Sequence, residues 1–201
     1  MDEAGRGPLA GPVVAAAVMF REAWIERGLP RALHGLNDSK QLTAEERESY
    51  FATLTTRPEL HYAIAWSDHS VIDEINILQA TFRAMNEALA QLNPAPMHVL
   101  IDGHQRSSAR GEQTPIIEGD AKSYSIAAAS VLAKVTRDRM MLEFDRRWPE
   151  YAFAEHKGYG TKNHLAALAR HGPCLIHRKT FAPIRREMPP AELFPQRAPS
   201  L

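Results

Sequence analysis

The chain opens with Asp2-Glu3-Ala4-Gly5-Arg6-Gly7-Pro8, and the apolar stretch Pro12 to Phe20 follows almost at once. No other feature constrains the fold as tightly. The apolar stretch is short, rich in valine and bounded by Gly11-Pro12, which predicts a buried strand. With the acidic segment before it, the pattern is strand, glycine turn, strand, an antiparallel pair. The opening segment also carries chemistry. Adjacent carboxylates can hold a hard divalent cation through oxygen. Glycines on either side of an arginine let the backbone approach a ligand while the guanidinium reaches a phosphate. An isolated Asp-Glu or Gly-Arg-Gly would be a solvated turn, so its meaning depends on the rest of the chain.

The remaining chain alternates helices and short strands. Residues 21–42 are predicted as loop with a short helical turn. Thr43 followed by Glu46 is a capping box for a helix to about Leu54, and Lys40 stands just ahead of that helix, where anions are welcome. His61 to Trp66 is predicted as a strand. A helix is predicted from about Val71 to Leu92, because Ile75, Leu78, Phe82, Met85, Leu89 and Leu92 recur every three or four residues. That stripe is core. Met97 to Ile101 is a near-continuous apolar run, as in a strand covered on both faces. Asp102 ends it, where open α/β sheets gather ligands. A turn aspartate before glycine is common, but its position favours a metal ligand.

Thr114 to Glu118 is predicted as a strand, and Gly119 as the start of a helix to about Arg147 whose early alanines permit close packing on a sheet. Asp120 is either an acid favoured by the helix dipole or a further metal-facing carboxylate. Tyr159 lies between two glycines among basic residues, a poor fit to packing and a good fit to stacking on a sugar or base. Residues 161–171 are predicted helical, with a short element around Phe181 to Arg186.

Net charge is zero, but residues 157–186 hold seven basic residues and no acid. That is either a solvated basic face or a footprint for phosphates. Cys174 is the only cysteine, which rules out an internal disulfide and fits a reducing cytosol. Val13 to Phe20 is too short to cross a membrane. One catalytic domain over residues 1–187 and a loose proline-rich tail over 188–201 are expected.

Five segments in order resemble bacterial ribonuclease HII: Asp2 to Pro12, Leu36-Asn37-Asp38-Ser39-Lys40, Ile101-Asp102-Gly103, Glu118 to Ser123 with Ala133 to Arg139, and His156 to Thr161. The resemblance implies an α/β fold of the ribonuclease H-like type, a mixed central sheet flanked by helices. It implies an endoribonuclease that hydrolyses the RNA strand of RNA/DNA hybrids and cuts 5′ of single ribonucleotides in duplex DNA, a role in ribonucleotide removal. Asp2, Glu3 and Asp102 then resemble metal ligands and Asp120 the fourth active-site carboxylate, with Mn²⁺ or Mg²⁺ as cofactor. Gly5, Arg6 and Gly7 resemble the segment that reads the 2′-hydroxyl, Tyr159 the tyrosine stacked on the neighbouring sugar, and Lys40 a phosphate contact. A cytoplasmic monomer acting on nucleic acid and not on membranes is expected.

The residue types suit that chemistry. Two divalent ions about 4 Å apart can stabilise both oxygens of an in-line displacement, and all-oxygen ligation favours Mg²⁺ or Mn²⁺. Telling RNA from DNA requires contact with the 2′-hydroxyl. Family members carry several strand residues before the acid pair, whereas here only Met1 precedes it. The expectation is therefore a first strand truncated at the N-terminus, a true start upstream, and acids on a fraying end. The alternative function is a truncated, catalytically impaired hybrid-binding protein. Some other metal phosphohydrolase is disfavoured, since a small phosphate ester needs neither Arg6 nor Tyr159.

Overall fold

The computed structural model describes residues 1–187, so the expected tail over 188–201 lies outside the described residues. Strand β1 (Asp2–Ala4) pairs antiparallel with β2 (Val13–Phe20), with Asp2 opposite Ala16. β2 pairs antiparallel with β3 (Leu60–Ser67) along its full length. β4 (His98–Asp102) pairs in parallel with β5 (Glu112–Ile116). Met1 joins the two sets. Its ammonium donates to the Leu100 carbonyl at 2.6 Å, and the Asp102 N–H donates to the Met1 carbonyl at 3.0 Å. The three-stranded sheet β3-β2-β1 and the two-stranded sheet β4-β5 thus meet edge to edge through Met1, giving the lateral order β3-β2-β1-β4-β5.

Helices cover both faces: α1 (Glu22–Arg27), α2 (Ala44–Thr56), α3 (His69–Ile75), α4 (Ile77–Gln91), α5 (Gly119–Lys122), α6 (Tyr124–Arg147), α7 (Phe153–His156), α8 (Lys162–His171) and α9 (Ile184–Glu187). The two-residue period of β2 sorts its side chains. Val14, Ala16, Val18 and Phe20 pack with Ala127, Ala128 and Leu132 of α6, while Ala15 and Ala17 pack with Ala84 and Ala88 of α4. Burial on both faces explains why the run is unbroken rather than alternating. The alanines of α6 bring that helix close beneath β1. A third cluster, around Met141, Tyr151, Phe153 and Ile176, holds the C-terminal segments against Leu9 and Ala10.

Some boundaries differ from expectation. The helix expected over 71–92 is two helices, broken at Asn76, whose φ of 68° leaves the helical region. Its side chain caps α4, accepting from the N–H groups of Leu78 and Gln79. The helix expected from Gly119 breaks at Ser123, which is extended. β5 lies two residues earlier than expected and tolerates Pro115 as an edge strand. The expected fraying end is also corrected. β1 has only three residues, yet Met1 is 3% exposed and bonded into the ladder, so neighbours on both sides hold it.

Candidate active site

The site forms where β1 and β4 end side by side. Asp2 and Glu3 are consecutive on β1 and so point to opposite faces. Asp2 turns toward α6, is 5% exposed, and accepts from the Ser130 hydroxyl and, through Oδ1, from the Glu3 N–H at 2.7 Å. Ser130 in turn meets Ser39 at 2.7 Å, so the segment before α2 is tied to the floor of the site. Glu3 turns the other way and meets Arg6 Nη1 through Oε1 at 3.3 Å.

Asp102 ends β4, and its Oδ1 accepts the Gly119 N–H at 2.8 Å. A Cβ at Gly119 would lie 2.6 Å from Ile126 Cδ1 and 3.2 Å from Asp102 Oδ1, so only glycine allows this approach. Asp120, the next residue, is 8% exposed and faces Asp38, a like charge that helps to raise its pKa.

A cleft of about 300 Å³ is lined by seven of the nine expected site residues: Asp2, Glu3, Gly5, Arg6, Gly7, Lys40 and Tyr159. Asp102 opens onto an adjoining hollow that Glu3 and Arg6 also line. Asp120 borders a separate hollow with Asn37 and Lys122. Among the described residues, no three carboxylate, imidazole or thiol groups form a ready-made metal cage. The reason is visible in their bonds: like charges repel, and Asp2, Glu3 and Asp102 are each turned to a local donor, namely the Glu3 N–H, Arg6 and the Gly119 N–H, while Asp120 faces Asp38.

Their fields nonetheless overlap. Burial, with Glu3 and Asp102 nearby, pushes the Asp2 carboxyl up to about 8, against the pull of its two hydrogen bonds. Burial also raises Glu3, although Arg6 opposes the shift. Asp120 is raised by burial, then by Asp38 and Asp102. For Lys40 burial works to lower the pKa, but Asp38, Asp120, Asp2 and Asp102 outweigh it and the net shift is upward. One lysine thus feels four carboxylates. Excess negative charge on oxygen donors alone is a chemical match for a hard divalent cation.

Tyr159 is half exposed at the rim, beside Gly7, where a Cβ would stand 3.6 Å from its Cε1. Its carbonyl meets His164 Nδ1 at 2.9 Å. The sequence reading missed Asp38, Ser130, Lys134 and Arg137 at this site. Asp38, Lys134 and Arg137 lay inside quoted segments but were given no role there. No signal in the sequence pairs Ser130 with Asp2, since that contact depends on how α6 docks.

Among the described residues, no helix is long and apolar enough to cross a membrane. A family model described as Ribonuclease HII matches residues 1–184. The chain is 52% identical over 190 residues to a ribonuclease HII of Geobacter metallireducens, covering 94% of this chain and 85% of that one. It is 51% identical over 181 residues to a ribonuclease HII of Ruminiclostridium cellulolyticum, covering 90% and 68%. Among solved structures, ribonuclease H2 of Pyrococcus horikoshii superposes with a TM-score of 0.73 at 28% identity, covering 92% of this chain and 93% of that one.

Proposed function

The chain belongs to the ribonuclease HII family, and from that premise we propose that it hydrolyses the RNA strand of RNA/DNA hybrids and cuts 5′ of single ribonucleotides in duplex DNA. Membership makes it a metal-dependent nuclease of the ribonuclease H type, acting on phosphodiester bonds of nucleic acid. The observation that carries the finer reading is the cleft in which Asp2 and Glu3 face Gly5-Arg6-Gly7, Lys40 and Tyr159. Acids and a candidate ribose reader share one wall.

Asp2, Glu3, Asp102 and Asp120 are the residues that would hold Mg²⁺ or Mn²⁺, for hydrolysis of the two-metal type. When bound, such ions supply an activated water and stabilise charge on the leaving oxygen. The chain's own groups do the rest. The Gly119 N–H orients Asp102, and Ser130 with the Glu3 N–H orients Asp2. Arg6, half exposed and paired with Glu3, is free to swing to a phosphate. Lys40 stays charged beside the acids and contacts the backbone. Tyr159 offers its ring to the sugar next to the junction. The single cysteine supports a cytoplasmic setting.

One observation favours the alternative of a binding protein with impaired catalysis. The Met1 amino group is buried beside Asp2, Asp102 and Glu3; burial pushes its pKa down to about 6 against the pull of those acids, and the charge it keeps opposes a metal cation there. The test is a DNA duplex with one ribonucleotide, incubated with Mn²⁺, with Mg²⁺ and with chelator. Metal-dependent cutting 5′ of the ribonucleotide is expected. Selective binding without cutting would support the impaired reading, and absence of both would overturn the proposal.

A further inference from the structure

Beneath the Gly5–Pro12 loop lie two of the largest fully buried side chains in the molecule, both arginines. Arg178 is 0% exposed and Arg137 1%, and neither forms a salt bridge among the described residues. Arg178 donates through Nη2 to the Gly5 carbonyl at 2.6 Å, through Nη1 to Arg6 at 2.9 Å, and through Nε and Nη2 to Gly11 at 3.0 and 2.9 Å. Arg137 donates to the carbonyls of Pro12, Ala10 and Lys157 at 2.9, 3.1 and 3.0 Å. Five carbonyls of one loop are thus drawn inward onto two cations. An apolar pair would fill the same space at less electrostatic cost but would leave those carbonyls without donors.

The consequence for the cleft follows from peptide geometry. Gly5-Arg6 and Arg6-Gly7 are trans, so each N–H points opposite to the carbonyl of its own peptide unit. With the Gly5 and Arg6 carbonyls held by Arg178 below, the Arg6 and Gly7 amides face away from it, on the side where Gly5, Arg6 and Gly7 line the cleft. Arg178 is itself fixed from behind. Asp73 accepts the Lys179 and Thr180 N–H groups at 2.9 Å each, and the Arg178 N–H donates to Leu9 at 2.8 Å. Arg137 extends the same hold to the segment bearing Tyr159, through the Lys157 carbonyl.

We propose that Arg178, with Arg137 beside it, is a positioning residue that aims the Arg6 and Gly7 amides at the ribose 2′-hydroxyl and so sets selection of ribose over deoxyribose. The inference rests on the function proposed above. Arg178 touches no substrate and acts through the loop. Burial and the neighbouring Arg137 push its pKa down to about 9, which leaves it charged at neutral pH.

The test measures binding in an Asp102→Asn background, which blocks turnover, to a duplex with one ribonucleotide and to its all-DNA counterpart. Arg178→Lys keeps the charge but offers one nitrogen where three carbonyls need donors. The ribose preference should fall about tenfold, while affinity for all-DNA duplex stays within about twofold. Arg137→Lys should lower the preference in the same sense. A purely structural role would weaken both duplexes alike, and that result, or an unchanged preference, overturns the inference. If neither variant folds, amide resonances of Arg6 and Gly7 in the unsubstituted protein decide. They should move on titration with the ribonucleotide duplex and not with all-DNA, and equal or absent shifts overturn the inference. Should the unsubstituted chain neither cut nor prefer the ribonucleotide duplex, the proposed function itself fails, a result distinct from a preference that Arg178→Lys leaves intact.

Discussion

The Asp102 N–H donates to the Met1 carbonyl at 3.0 Å, across a sequence separation of about a hundred residues. That bond, with the one from the Met1 ammonium to Leu100, seats β1 between β2 and β4. It places two acids from the start of the chain beside one from its middle.

Asp102→Asn keeps an oxygen able to accept the Gly119 N–H, so the fold should survive with a change of about 1 kcal/mol or less. Cleavage should fall by about two orders of magnitude or more if the proposed metal-holding set loses this carboxylate. Kinetics with Mn²⁺ and Mg²⁺ beside thermal unfolding would check both halves. Retained turnover removes Asp102 from that set.

Divalent metal should raise the unfolding midpoint, and the gain should grow with pH. The sign follows from Asp2, whose folded pKa is raised to about 8. Without metal, the proton it binds contributes stability that is present below the unfolded value near 4 and lost as pH rises through about 8. A divalent ion held by Asp2 would take the place of that proton, so its effect should strengthen as the carboxyl ionises. Calorimetry at pH 6 and pH 8.5, with Mg²⁺ and with chelator, reads the difference; a pH-independent gain would contradict it.

Tyr159→Ala should cost junction binding about 1–3 kcal/mol, the range for a base or sugar stacked on an aromatic ring. Affinity for plain duplex should change much less. Equal losses on the two duplexes would make the ring, half exposed as it is, a packing element only.

Gly5→Ala and Gly28→Ala separate strain from contact. Both glycines have positive φ, +97° and +91°. A Cβ at Gly28 meets nothing within 4 Å, whereas at Gly5 it would stand 2.0 Å from Arg137 Nε. Gly28→Ala should cost about 1–2 kcal/mol from backbone strain alone and leave cleavage intact. Gly5→Ala should cost more and abolish ribonucleotide-directed cutting. Similar unfolding midpoints for the two variants would refute the role given to the loop support.

Acid should destabilise the protein through His177. Its Nε2 lies 3.0 Å from His164 Nε2, so one ring donates, the other accepts, and neither site welcomes a second proton. Burial and then His164 push His177 down to about 4. A depressed pKa contributes stability that is present above the unfolded value of 6.5 and lost as pH falls through about 4, up to about 3 kcal/mol. Denaturant midpoints at pH 7 and pH 4 would show the loss, and His177→Gln should flatten it. An equally steep profile in that variant would assign the effect to other groups.

Local signals carried much of this protein in plain view. The Thr43–Glu46 capping box starts α2 as expected. The apolar run Val13 to Phe20 is a buried strand as expected. The expected stripe on α4 is only partly core: Met85 and Leu92 are buried, Leu78, Phe82 and Leu89 are half-buried, and the buried face runs through Ala80, Thr81, Ala84 and Ala88. The acid pair, Asp102 at a strand end, the Gly-Arg-Gly turn, Lys40 and Tyr159 were legible as candidates because each depends only on neighbours along the chain. The breaks at Asn76 and Ser123 were not: the three-to-four spacing runs on from Ile75 to Leu78, Asp120 to Ser123 holds neither glycine nor proline, and only backbone geometry reveals the turns.

By itself the sequence determined which segments form strands and helices and which side chains bring oxygen, charge or an aromatic ring to the site. The tertiary structure decided what joins them: Met1 laid beside β4, Ser130 under Asp2, and Arg178 under Gly5, 173 positions away. A buried guanidinium must find acceptors wherever the fold brings carbonyls close. That demand is met across space, and no spacing along the chain records it.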